Sequence, residues 1–98
     1  MQNTQLGPRA QQRIEALTKT FNSHIAGANT CFKAGSAALD GGIGDLADAN
    51  GQLWHQAGEE RMDNALNTIA KIQKLGASEE QLAPLWEKFL ANQTLQQA

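Results

Sequence analysis

This chain of 98 residues predicts an all-α fold: a long amphipathic helix or a helical hairpin with a break near Gly41–Gly58, plus a short C-terminal helix. Three observations carry that reading. Sheet-building residues are scarce, with no Val, no Tyr and three Phe, whereas the helix formers Ala, Leu, Gln, Glu and Lys abound. The apolar residues recur every seven positions, and Gly and Pro stand where helices start and stop. A chain this short buries only a modest share of its surface alone, so assembly as a helical bundle or coiled-coil oligomer is expected.

Taken in order, residues 1–7 are polar and expected to fray, and Pro8 suits the first turn of a helix, where its missing N–H costs nothing. Residues 8–75 form the long amphipathic region. Ile25, Phe32, Leu39, Leu46 and Leu53 follow one another at seven-residue intervals. A second track, Ile14, Phe21, Ala28, Gly35, Gly42 and Ala49, lies four residues away and shares the same face.

The stretch AGSAALDGGIGDLADANG, residues 34–51, holds five of the nine glycines, yet the heptad crosses it in phase. That continuity favours a continuous or kinked helix over a helix–turn–helix. After Leu53 the apolar set becomes Met62, Ala65, Leu66, Ile69 and Ile72, which predicts a stutter or bend around Gly51–Gly58. Gly76 then ends the region, Ser78 with Gln81 reads as a capping box, and residues 78–95 form the last helix. Pro84 is expected in its first turn. This helix presents Leu82, Leu85, Trp86 and Phe89 as a secondary apolar face. The whole of 1–98 reads as one helical domain.

The glycines have an energetic consequence. Gly35, Gly41, Gly42, Gly44, Gly51 and Gly58 each disfavour helix by about 1 kcal/mol relative to Ala, together roughly 5–6 kcal/mol. An isolated helix carrying that burden is marginal in water. Close approach of a neighbouring helix, or adsorption of the leucine stripe onto an apolar surface, would offset it. Burying the five side chains of the Ile25 track contributes on the order of 10 kcal/mol.

Charge and motifs exclude several classes. Eight basic and ten acidic residues include no basic run able to neutralise phosphates, so no nucleic-acid partner is expected. No apolar run reaches the roughly 20 residues of a transmembrane helix. The start MQNTQLGPRAQQ lacks a charged and then apolar leader, and Cys31 stands alone, so a cytoplasmic location is expected. The glycine stretch lacks the Lys-Ser/Thr of a phosphate loop. Asp40, Asp45 and Asp48 lack the alternate spacing of a calcium loop. His24 and Cys31 offer two ligands where a structural zinc site takes four. Cys31 reads as a small packed side chain. No catalytic, cofactor-binding or metal residue is assigned, and no enzymatic activity is expected.

Two segments carry a resemblance. NTCFKAGSAALDGGIGDLADANGQLW (Asn29 to Trp54) resembles the central part of bacterial phasins, in which an Asn precedes a Lys-Gly step, an Ala-Leu pair and a Gly ahead of a long helix. Asn29, Lys33, Gly35, Ala38, Leu39 and Gly42 match those places, with Gln52 and Gln56 downstream. KIQKLGASEEQLAPLWEKFLANQ is similar to the family's later break and helix, matched by Gly76, Ser78, Leu82, Phe89 and Gln93. The resemblance implies a non-enzymatic protein that coats or associates with polyhydroxyalkanoate storage granules, self-associates when unbound, behaves like a chaperone and contacts the polyester synthase. On this reading the granule is met through Ile25, Phe32, Leu39, Leu46 and Leu53. The alternative is a protein–protein interaction module, an adaptor or chaperone-like chain that pairs its apolar seam with a partner helix.

Overall fold

The structure, a computed structural model, describes residues 7–41 and 45–97, and the side chains of residues 7–37 and 49–96. Among the described residues three helices follow in order, α1 (Pro8–Gly41), α2 (Asp45–Lys74) and α3 (Glu79–Gln97). The Gly7 carbonyl accepts from Gln11 N–H at 3.1 Å, which makes Pro8 the first helical residue.

The chain reverses between α1 and α2. Gly35 faces Gly51 and Trp54, Phe32 faces Gly58, and Gly27 faces Arg61, so positions descend along α1 as they ascend along α2. This antiparallel hairpin overturns the continuous or merely kinked helix that the heptad favoured. Two antiparallel helices carry their own stripes, and the unbroken count of seven across the reversal reflects no shared axis. Helix α2 runs unbroken through Gly51 and Gly58, where the sequence predicted a stutter or bend.

Gly35 and Gly58 are there for packing. A Cβ on Gly58 would overlap the Phe32 ring, and one on Gly35 would lie 3.2 Å from the Gly51 carbonyl oxygen. Their absent side chains let α1 and α2 approach, and the contact supplies what the isolated helices lack. Down the seam, Ile14, Phe21, Ala28 and Phe32 of α1 meet Met62, Ala65, Ile69 and Ile72 of α2 in one buried cluster.

Helix α2 ends in a Schellman turn. Gly76 has φ 98°, a left-handed value that Gly adopts at no steric cost. Gly76 N–H donates to the Gln73 carbonyl at 3.0 Å and Ala77 N–H to the Ile72 carbonyl at 3.4 Å. The capping box then opens α3: Gln81 N–H donates to Ser78 Oγ at 3.2 Å, and Ser78 N–H donates to Gln81 Oε1 at 3.0 Å. Pro84 lies in the second turn of α3, one turn later than its sequence context suggested. It is exposed, and the carbonyl of Glu80 that its N–H would have met can turn to solvent.

Helix α3 folds back alongside α1 and parallel to it. Lys88 Nζ donates to Asn22 Oδ1 at 3.0 Å, and the buried Asn92 donates through Nδ2 to the Ile25 carbonyl at 2.8 Å. Asn29 Nδ2 donates to Asn92 Oδ1 at 3.2 Å. Leu82, Leu85 and Phe89 add their side chains to the common core. The result is a rod 62 Å long and 19 by 14 Å across. Helix α3 ends five residues past Asn92, whereas α1 continues twelve past Asn29. At about 1.5 Å per residue the hairpin projects roughly 10 Å beyond the third helix.

Candidate functional site

The seven-residue stripe does not emerge as one outward face. Phe32 is fully buried, with its ring 5.7 Å from that of His55, and Ile25 is half-buried against the core on the side facing α3. Leu53 lies at the other extreme, 64% exposed. The side chains of Leu39 and Leu46 fall outside the described residues. The secondary face divides likewise, because Leu82, Leu85 and Phe89 point inward while Trp86 is 37% exposed.

Among the described residues the rod instead leaves two sets of large apolar side chains in water. One is Leu53 and Trp54, near the projecting end of the hairpin. The other is Leu66, Trp86 and Leu90, and helix phase brings these three to one groove. Leu66 follows Met62 by four and precedes Ile69 by three, so it borders the buried stripe of α2 on the edge away from Arg61 and Lys71. Trp86 follows Leu82 by four, precedes Phe89 by three and stands four before Leu90, on the edge of α3 away from the α1-facing Lys88 and Asn92. Both edges line the outer groove between α2 and α3. The Trp86 indole meets Phe89 edge-on with centroids 5.8 Å apart, so the exposed ring is supported by the core beneath it.

Sequence periodicity counted Leu66, Trp86 and Leu90 among the apolar residues of their helices but did not mark them as exposed. A helix in a three-helix bundle buries a stripe wider than the two seam positions, and residues at the stripe's edge were indistinguishable from core.

The opposite side of the hairpin, the α1/α2 groove that α3 does not cover, has another character. Arg13, Leu17, Lys71, Lys74 and Leu75 line a shallow depression there. Farther along the same side the Arg61 guanidinium lies over Gly27, within 3.2 Å of where a Cβ would stand. His24 and Cys31, both half-buried, follow Leu17 at seven-residue steps, so they lie on this flank of α1. His24 Nδ1 is buried there without a hydrogen-bond partner.

Among the described residues no three His, Cys, Asp or Glu side chains cluster closely enough to hold a metal ion. The side chains of Asp40, Asp45 and Asp48 lie outside that set. No described helix is long and apolar enough to cross a membrane. Comparison with family models, curated proteins and solved structures finds no match to this chain.

Proposed function

We propose that the chain is a non-enzymatic amphiphilic helical protein that lies on an apolar surface through Leu66, Trp86 and Leu90, and that this surface is the polyester of a polyhydroxyalkanoate granule. The observation that carries the surface contact is the α2/α3 patch, where Leu90 is 54%, Leu66 42% and Trp86 37% exposed although Leu82, Leu85 and all three Phe are buried. Three large side chains held on one groove present more contiguous apolar surface than scattered leucines do. An indole at such a boundary keeps its N–H toward water while its ring enters the apolar phase. The polymer comes from the resemblance of Asn29–Trp54 and Lys71–Gln93 to phasins.

The contact differs from the one the heptad suggested. Phe32 and Ile25 hold the hairpin and α3 together, so the folded rod offers its outer edges to the surface. Helicity is supplied by packing within the chain, and little helix is gained on adsorption.

The test is co-sedimentation of the purified chain with polyhydroxybutyrate particles. Wild type should pellet with the particles, and a Leu66→Asp, Leu90→Asp double variant should remain in the supernatant with an unchanged circular dichroism spectrum. Binding that survives both changes removes the patch as the contact. Failure of wild type to pellet removes the granule reading.

A further inference from the structure

We infer that the α1/α2 groove opposite α3 is a docking site for an acidic amphipathic helix of a partner protein. Its shape is that of a helix seat. Two antiparallel helices expose a continuous groove on each side; α3 fills one through Leu82, Leu85 and Phe89, and the other stands open. Its floor is apolar, since Leu17 and Leu75 are half-buried there and pack against the core from the open side. A helix laid along such a groove buries anchors at positions i, i+3, i+4 and i+7.

The rim states the charge of the occupant. Arg13, Lys71 and Lys74 surround the two leucines, and no carboxylate lines that depression among the described residues. Arg61 extends the row along the same side. Four of the chain's eight basic residues thus edge one groove of a protein whose net charge is −2. Glu side chains flanking the apolar stripe of an incoming helix would meet this rim and fix its register. A second copy seated groove on groove would set Arg13, Lys71 and Lys74 against their own equivalents, and that repulsion disfavours a symmetric dimer through this face.

This proposal is independent of the granule reading, because the groove and the α2/α3 patch lie on different sides of the rod. The probe is a fluorescein-labelled synthetic helix of about 20 residues, with Leu at the seam positions and Glu at the flanking ones. Its binding to the full chain is followed by anisotropy, beside versions in which Gln or Lys replaces Glu.

The Glu peptide should bind and the Lys peptide should not, with affinity falling as salt is raised. Arg13→Glu with Lys71→Glu should weaken binding at least tenfold, whereas Lys19→Glu with Lys33→Glu, the same change of net charge away from the groove, should weaken it less than threefold. If the first pair lowers the melting temperature, Lys71→Glu with Lys74→Glu, both exposed near the end of α2, serves in its place. No binding of the Glu peptide overturns the proposal, as do equal binding of the Gln peptide and equal loss in the two variant pairs. Concentration-dependent dimerisation abolished by Arg13→Glu with Lys71→Glu would make the occupant a second copy and overturn it too.

Discussion

Gly58 and Gly27 both belong to the α1/α2 seam, yet their substitution should have opposite signs. At Gly58 an added methyl meets the Phe32 ring, which is fully buried and has nowhere to move. Overpacking of that kind typically costs 1–3 kcal/mol, against a helix-propensity gain of about 1 kcal/mol. Gly58→Ala should therefore lower stability by up to about 2 kcal/mol, a drop in melting temperature of up to about 15 °C. At Gly27 the neighbour is the end of the exposed Arg61 side chain, which can swing aside. Gly27→Ala should leave the melting temperature unchanged or raise it by a few degrees, since about 1 kcal/mol of propensity is available. The buried Asn92 makes a further residue-scale claim. It joins the Ile25 carbonyl to the Asn29 side chain, and Asn92→Ala removes both bonds between α3 and α1, at a cost of about 1–3 kcal/mol in urea unfolding. Periodicity could mark these glycines as helical but could not say what they faced, because a Gly at a seam position and a Gly in a loop read alike. Asn92 was invisible for a similar reason, being a polar residue at the edge of a polar tail.

Punctuation was the most legible feature at the level of elements. Pro8, Gly76 and the Ser78–Gln81 box stand where local chemistry put them, since caps depend on residues within one turn and need no tertiary partner. Ser78→Ala should cost about 1 kcal/mol, read as a shift of the urea midpoint without a change of slope. The reversal between Gly41 and Asp45 was the least legible. Its signal was the cluster of glycines, and the heptad count that crossed it in phase argued the other way. Antiparallel packing also sets a gradient of stability along the hairpin. Residues 12–32 and 58–72 are sandwiched with α3, whereas residues 33–37 and 49–56 pack as a pair of helices only. Native-state hydrogen exchange should show amides of the first group exchanging at least tenfold more slowly than those of the second. Uniform protection along both helices would contradict that division.

The whole molecule exposes 6602 Å², about a fifth more than the roughly 5,400 Å² expected of a compact 10.5 kDa protein. The excess follows from its shape, a rod 62 Å long built from two long helices and one of 19 residues. Composition announced this much, because an Ala-rich chain with few large apolar residues cannot fill a sphere. The sequence could not say which apolar residues the rod would hide. Burial of Phe32 and exposure of Leu66 and Leu90 depend on the angle at which three helices meet, and a one-dimensional count carries no such angle. Two sides of the rod are left with distinct chemistry, an apolar groove between α2 and α3 and a basic one between α1 and α2. The first is the proposed contact with a polyester surface. Trp86 stands in that groove, and Trp54, the chain's other indole, stands near the projecting end of the hairpin. A Trp54→Phe variant therefore reports on the patch alone. On titration with polyhydroxybutyrate particles its emission should shift to the blue as the Trp86 ring leaves water. Particles that carry the protein down while Trp86 emission stays unchanged would contradict the account.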